Sequence, residues 1–494
     1  MKIMNNKKVL AFDYGASSGR GIIGEFDGKK ITLKEIHRFS NDSVTVNGTM
    51  YWDILRLYFE MKEGLIKANL LGGFDSVAVD TWGVDFGLID DSGNLLENPV
   101  HYRDERTVGM IEKAFEKIDK DKFYQITGIQ FMELNTVFQL TALKEQRAEL
   151  FERIDKILLM PDLFNYFLTG EKVAEYSIAS TTQLMDANTG DWSLEVLESL
   201  DIPKKILPEI VPSGTVIGKI QDSICEELGL GNKPDVIAVA GHDTQCAMMS
   251  VPAKDKDFIF ISCGTWSLFG TELEKPIINE KSFRLNLTNE GGYQKKTSFL
   301  KNIIGLWLVQ ESRRQWIREG KDFSFGELEK MAEQAEGFKC FIDPDAPEFM
   351  SDGNIPKRIQ EYCEKTNQYV PRTEGEIVRC INESLSLKYA RTKKELEECV
   401  EKEYSAIHMV GGGIQSKMLC RLTADACGCD VMAGPIEATV YGNIIIQLLA
   451  TGEIKTMQEA RDVVAASENV VTYKPQNQNE WKEATERYKK IMEQ

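Results

Sequence analysis

The chain has 494 residues, 42% apolar and 28% charged, the proportions of an ordinary globular protein with material for roughly two to four domains. Its 77 acidic residues against 59 basic ones leave a net charge of −18, which disfavours non-specific binding to nucleic acid or to an anionic membrane. No apolar run approaches the roughly 18 residues that span a bilayer, and the opening MKIMNNKKVLAFDYG has no signal-peptide core, so a cytoplasmic protein without membrane partners is expected.

The elements begin with a strand, VLAFDYG, a Gly/Ser turn, and two further strand patterns, RGIIGEF and ITLKEIHRF, joined at Asp27-Gly28 as a hairpin. A helix follows over Leu55–Ala68, then the strand DSVAVDTWGVDFGLID, turned at Asp91-Ser92-Gly93-Asn94. The β-branched run Val236–Val239 reads as an interior strand that breaks at Gly241-His242-Asp243. FISCGTWS at 260–267 repeats the layout of AFDYGASS at 11–18: an apolar strand end, one residue, Gly, a small residue, any residue, Ser. This predicts one unit used twice, with a boundary near Asp243–Asp257 and a cleft between the halves. Next come a predicted helix over KNIIGLWLVQESRRQWIREG and a helical face of Ile377, Ile381, Leu385 and Tyr389, four residues apart. The strand SAIHMV then ends in Gly411-Gly412-Gly413, and the helix QSKMLCRLTADACG is stopped by Gly428. Helix and strand alternate, so the class is α/β. The expected domains are 1–244 and 245–471, followed by a surface helix over 472–494.

The ten cysteines lie between Cys225 and Cys429. Cys427 and Cys429 form a C-x-C pair, but no second pair stands at zinc spacing and none of the four histidines is near it, so reduced, buried thiols are expected.

Several short motifs have chemistry. DYGASSGR has glycines for a tight turn, two hydroxyls and an arginine, which suit a phosphate turn; an ordinary polar β-turn has the same make-up. It is not a P-loop, and a hairpin rather than a helix follows, so it is not a dinucleotide fingerprint. Asp13, at the strand end, is placed to hold Mg²⁺ through water. CGTWS repeats the logic with Thr265. GGG at 411–413 offers side-chain-free backbone to a base or ribose, or simply a tight turn. In DTWGVD, Trp82 looks exposed beside Gly83, where an aromatic face packs on sugar C–H groups; a buried tryptophan is the alternative. YRDERT is a cluster of two arginines and two acids, or a salt-linked surface turn. Asp243 is either the cap of the following helix or a general base.

Taken in order, DYGASSGR, DTWGVD, YRDERT, GHD, CGTWS and GGGIQSKMLCRLTADACGCDVMAGPIEATVYGN resemble the FGGY carbohydrate kinase family across nearly the whole chain. The resemblance implies a duplicated actin-like ATPase (ribonuclease H-like) fold of two domains with an interdomain catalytic cleft. It implies transfer of the ATP γ-phosphoryl, with Mg²⁺, to a small sugar. It places Ala16, Ser17, Ser18, Gly19, Arg20, Thr265, Gln310, Gly411, Gly412 and Gly413 on ATP. It places Trp82, Gly83, His242, Thr244 and Asn302 on the sugar, with Asp243 as the base. Many members carry Trp where this chain has Tyr102. The combination DTWGVDF, PVHYRDERT, HDT, CGTWSLFG and LKNIIGLWLVQ, with Tyr102, is similar to the branch that phosphorylates the terminal primary hydroxyl of L-rhamnulose. L-Fuculose, L-xylulose and glycerol are the alternative substrates. An actin-like filament protein or chaperone ATPase is the non-enzymatic alternative, and it would lack the GHD, DTWGVD and YRDERT trio. Monomer and dimer both remain open.

Overall fold

The computed structural model describes residues 6–255 and 257–492. Packing divides the chain into two compact units. The first comprises Met1–Lys254, Glu272–Phe299 and Ala438–Glu468, and the second Asp255–Thr271, Leu300–Glu437 and Asn469–Gln494. Residues 245–254, Glu272–Phe299 and Ala438–Glu468, all beyond the expected boundary at 244, therefore pack with the N-terminal unit. Among the described residues, no helix is long and apolar enough to cross a membrane.

In the first unit, β1 (Lys7–Tyr14), β2 (Ser18–Phe26) and β3 (Ile31–Ser40) form the expected antiparallel meander. Asp27 shapes its second turn by accepting from the backbone N–H groups of Lys29 and Lys30 at 2.8 Å, and Gly28 supplies φ of 92°. The helix α1 (Ile54–Leu70) starts at Asp53, whose carboxylate accepts from Arg56 N, and buries Leu57, Met61, Leu65 and Ala68 along one face. β4 (Ser76–Thr81) runs parallel to β1. β5 (Thr215–Lys219) and β6 (Asp235–Ala238) complete the order β5-β6-β4-β1-β2-β3. Successive residues of β1 face opposite sides. Leu10, Phe12 and Tyr14 pack with α1, whereas Val9 and Ala11 pack with the helices Asp243–Met249 (α2) and Ala438–Ala450. Both faces are thus buried, as a sheet with a parallel centre requires. Gly442 lets α2 approach the helix Ala438–Ala450 closely, since a Cβ there would lie 1.8 Å from the Cys246 carbonyl oxygen.

The second unit repeats the pattern. β7 (Ile259–Cys263) and β8 (Trp266–Leu273) form an antiparallel hairpin, followed by β9 (Thr297–Ile304) and the helix α3 (Trp307–Arg318). The 27-residue helix α4 (Glu374–Val400) opens with a Thr373/Glu376 capping box and buries Ile377, Ile381, Leu385 and Tyr389. β10 (Ala406–Val410), the helix α5 (Lys417–Cys427, ended by Gly428 at φ 65°), β11 (Asp430–Ala433) and β12 (Val471–Tyr473) follow. The order β9-β8-β7-β10-β11-β12 matches β3-β2-β1-β4-β6-β5 of the first unit. The senses match as well: β7 is antiparallel to β8 and parallel to β10, β10 is parallel to β11, and β11 is antiparallel to β12. The duplication read from two short motifs therefore extends to six strands of each sheet; the second sheet has a seventh, Thr288–Gly291, beside β9. Three expected elements differ. The run 75–90 is two strands, Ser76–Thr81 and Phe86–Ile89, the latter paired with Lys156–Leu159 in a separate ribbon, and the last helix covers Gln478–Met492, so it starts after the expected residue 472. Lys301–Ile304 is the end of strand β9, not the start of a helix, and α3 begins only at Trp307. The β-branched pair Ile303-Ile304 favours the strand, and Gly305 ends it because a Cβ there would meet Ser267 Oγ at 2.6 Å.

Candidate active site

In each unit the predicted site residues gather at one end of the sheet, where the parallel strands finish. Open α/β sheets place their ligands there.

In the first unit the end of β4 meets the break after β6. Thr81 N–H donates to Gly241 O at 2.9 Å, and Thr81 bridges to His242. Asp13 and Asp80 are direct neighbours in the β1/β4 register. Asp243 is the first residue of α2. Its carboxylate accepts from the Thr244 N–H at 2.6 Å and hydroxyl at 3.2 Å, and the N-cap position belongs to His242. The three carboxylates differ in access. Asp80 is 0% and Asp13 7% exposed, whereas the Asp243 side chain keeps 32% of its surface open.

Their electrostatics follow from burial. Asp80 is pushed well above the usual carboxylate range by burial and by Asp13, against a 2.7 Å hydrogen bond from Asn443 Nδ2. Burial also raises Asp243; the His242 charge opposes this and Asp13 adds to it. Arg20, opposite Asp13 in the hairpin register, places a guanidinium nitrogen 2.5 Å from Asp13 Oδ2. Asp80 Oδ1 has no hydrogen-bond partner. A buried acceptor left without a donor among three acids fits a cation. Among the described residues only three cysteines bring three ligand atoms within 4.8 Å of one another, so the aspartates suit a cation that keeps part of its water shell, as Mg²⁺ does.

His242 is fixed from several directions. Glu175 Oε2 accepts from Gly241 N at 2.9 Å, Ile178 N at 3.0 Å and Ser177 Oγ at 2.6 Å, which sets the backbone before the histidine. Glu290 Oε2 lies 3.1 Å from His242 Nδ1, and Asp243 Oδ1 lies 3.6 Å from Nε2. Burial pulls the imidazole pKa down, but Glu290, Asp243 and Glu175 outweigh it, and the net shift is upward. Gly83 sits against this ring, its Cβ position 3.5 Å from His242 Nε2.

Trp82 is buried rather than exposed, and its indole N–H donates to Asp85 Oδ2 at 3.0 Å. The same oxygen accepts from Trp52 Nε1 at 2.6 Å and Tyr102 N at 3.2 Å, and Gln139 Nε2 donates to Oδ1 at 2.9 Å. Burial raises the Asp85 carboxyl to about 6, with the Trp52, Gln139 and Trp82 donors holding it back. Arg106 of YRDERT donates to Gln139 Oε1 at 2.6 Å, so that motif buttresses the same carboxylate instead of forming a surface turn. Between Trp82 and Asp85, Val84 adopts φ of 69°, unfavourable for a β-branched residue. It is held there by Thr181 Oγ1 at its N–H and Thr136 Oγ1 at its carbonyl, and such retained strain clusters at functional sites.

The β1–β2 turn leaves Ser17 exposed, with Ala16 and Ser18 partly so. Asn41 pins it by donating to Gly15 O and Ser17 O. Gly19 serves packing, since a Cβ there would strike the Phe39 ring at 2.2 Å.

In the second unit, Thr265 lies in the β7–β8 turn. Its hydroxyl donates to Gln310 Oε1 at 3.2 Å, and its carbonyl accepts from Gly305 and Trp307. Sequence neighbours of neither kind, Thr265 and Gln310 are thus brought together. Gly411 (φ 91°) and Gly413 pack on Cys263, which a Gly413 Cβ would meet at 2.3 Å, whereas Gly412 has open space where a side chain would stand. Asn302 belongs to this unit, on β9. Asp80, Asp85, Glu175, Glu290 and Asn443 were not singled out from the sequence. Asp80 and Asp85 lie inside DTWGVD and Asn443 closes the motif that ends in VYGN, whereas Glu175 and Glu290 lie in no motif.

Replacing Asp85 by Ala strands two indole N–H groups, a backbone N–H and an amide. Hydrogen bonds to a charged acceptor contribute about 1.5–3 kcal/mol each, so denaturant unfolding should show a loss of at least about 3 kcal/mol, partly restored in Asp85→Asn. A loss below about 0.5 kcal/mol would contradict this role.

Comparison with known proteins matches this arrangement. Residues 8–250 match the N-terminal domain, and residues 259–451 the C-terminal domain, of the FGGY family of carbohydrate kinases. The chain is 41% identical to a rhamnulokinase of Oceanobacillus iheyensis over 94% of its length and 97% of that protein's. It is 41% identical to one of Bacteroides thetaiotaomicron over 96% of both. Among solved structures, the ligand-bound xylulose kinase of Lactobacillus acidophilus has a TM-score of 0.82 at 17% identity, covering 99% of this chain and 98% of that one. The glycerol kinase of Plasmodium falciparum with ADP has a TM-score of 0.77, also at 17% identity and with 99% and 98% covered. With two domain matches spanning most of its length and full-length relatives at this identity, the chain belongs to the FGGY family of carbohydrate kinases.

Proposed function

We propose that the protein transfers the γ-phosphoryl group of ATP to the terminal primary hydroxyl of L-rhamnulose, giving L-rhamnulose 1-phosphate. The sugar assignment is supported by the near-full-length similarity to rhamnulokinases. The chemical assignment rests on one observation: of the three strand-end carboxylates, only Asp243 is open to an incoming hydroxyl. A reduced, cytoplasmic setting suits ten cysteines that are all free thiols.

Asp243 accepts the hydroxyl proton as the oxygen attacks phosphorus, and its raised basicity suits that task. Its link to Thr244 keeps one carboxylate oxygen directed while the other remains available. His242, with Gly83 against its ring, presents an N–H to a sugar hydroxyl, and Trp82, Thr244 and Asn302 complete the sugar-binding set. Ala16, Ser17, Ser18, Gly19, Arg20 and Thr265 serve the phosphates, and Gln310 with Gly411, Gly412 and Gly413 serves the nucleoside. Asp13 with Asp80 would hold Mg²⁺, which would supply charge neutralisation for the phosphates.

Asp243→Asn keeps the shape but cannot take a proton. It should fold and bind ATP while turnover falls at least roughly 100-fold. In an ATP-coupled assay across ketoses and polyols, wild type should give its highest kcat/KM with L-rhamnulose. Normal turnover by a folded Asp243→Asn, or a higher kcat/KM with L-fuculose, L-xylulose or glycerol, would overturn the respective half of this reading.

The base must be ionised, so activity falls as pH drops through the Asp243 pKa, which burial places above the ordinary value of about 3.9. The His242 charge holds that pKa down. His242→Gln should therefore move the acid limb of the pH–rate profile to higher pH, whatever it does to the maximal rate. A limb that stays put or moves down contradicts the coupling.

A further inference from the structure

A second constellation lies in the second unit, on residues the phosphoryl-transfer chemistry does not use. Cys340 sits in the loop before Phe341, Cys363 on the helix Ile355–Lys365 and Cys380 on α4. All three are buried free thiols. Their sulfur atoms lie within 4.8 Å of one another, the only such grouping of three ligand atoms among the described residues. Thiolates around one ion at the usual metal–sulfur distance of about 2.3 Å stand roughly 3.8–4 Å apart, so the sulfurs need shift little to share a cation.

The loop carrying Cys340 is held on both sides. Phe338 N donates to Glu383 Oε2 at 2.8 Å, and Arg487 Nη1 donates to Phe338 O at 2.6 Å. Phe341 exchanges two hydrogen bonds with the Gln368 amide, at 2.9 and 2.8 Å, and Ile342 N donates to Ser384 Oγ at 2.9 Å. Such fixed second partners preorganise ligands before any ion arrives. A small pocket lined by Lys339, Tyr369, Glu376 and Arg379 reaches Cys340 and Cys380. Glu336 and Glu383 line it as well, and they pair with Lys339 and Arg379.

We propose that Cys340, Cys363 and Cys380 form a trigonal thiolate site for one thiophilic d¹⁰ cation such as Zn²⁺ or Cd²⁺, with the remaining coordination position open to the pocket. Binding exchanges the thiol protons for three metal–sulfur bonds, so each divalent ion releases up to three protons. Because the ion joins a loop and two helices of the second unit, it stabilises that unit by linkage.

The test is a titration of the reduced full-length protein with Cd²⁺. The expected results are one tightly bound ion per chain by native mass spectrometry, a thiolate-to-metal charge-transfer band, proton release and a raised melting temperature. X-ray absorption of the loaded wild type should count three sulfur neighbours. Cys363→Ser and Cys340→Ser should each weaken binding at least roughly 100-fold, whereas Cys427→Ser should leave it unchanged. No charge-transfer band in the reduced wild type, fewer than three sulfur neighbours, or a band that survives Cys363→Ser would overturn the proposal. The wild-type sulfur count decides the matter even if a variant fails to fold.

Discussion

Three carboxylates at the ends of adjoining strands set the terms for the first unit. Burial, Asp13 and Asp243 raise the cost of ionising Asp80, and burial and Asp13 raise that of Asp243. Only a few groups answer that charge. Arg20 pairs with Asp13 across the hairpin, Asn443 donates to one oxygen of Asp80, and the His242 charge faces Asp243. The other oxygen of Asp80 is left bare. A fold selected for stability alone has no reason to collect these groups. A fold that must receive a cation and polyphosphate on one side and a hydroxyl proton on the other has a direct reason.

Much of the unit serves to hold that arrangement. Glu175 and its ring of donors fix the backbone at Gly241, so that the chain turns from strand to helix with His242 and Asp243 already placed. Asp85 binds the Trp52 and Trp82 indoles, and the strained Val84 is held between two threonine hydroxyls. Each buried acid is thus paired with a geometric task. Asp243 is the exception in access, since its task needs an open face. In the second unit, glycines at 411 and 413 let the backbone close on Cys263, leaving Gly412 free and Thr265 paired with Gln310. The repeated sheet order explains why comparable turns in the two units carry comparable hydroxyls.

The strand ends, the hairpin turns and the duplication were legible in the sequence, because β-branched runs broken by Gly and Asp leave local signatures. Asp13, His242, Asp243 and Thr265 stand out in the sequence that way. What escaped has partners far along the chain. Asn443 reaches Asp80 across 363 residues, and Glu290 reaches His242 from a strand with no motif of its own. Gly19 and Gly413 also have a packing role that the sequence does not show, since a side chain or sulfur is pressed where a Cβ would stand. Trp82 looked exposed because the sequence cannot show that Asp85, three residues on, takes its N–H. The cysteine grouping was invisible for the same reason: its members come from a loop and two helices, and spacing rules look for ligands close in sequence.

The most direct measurement compares Asp80→Asn with wild type in two respects, unfolding free energy without ligands and the Mg²⁺ dependence of turnover. The folded-state pKa of Asp80 is raised, so wild-type stability is present at low pH and declines as pH rises through that titration. Asn still accepts from Asn443 and carries no charge. The account predicts a variant as stable as wild type or more so at neutral pH, with stability less dependent on pH, that turns over more slowly and needs more Mg²⁺. A variant that loses stability while keeping wild-type turnover and Mg²⁺ requirement would contradict the claim that these carboxylates are gathered for catalysis.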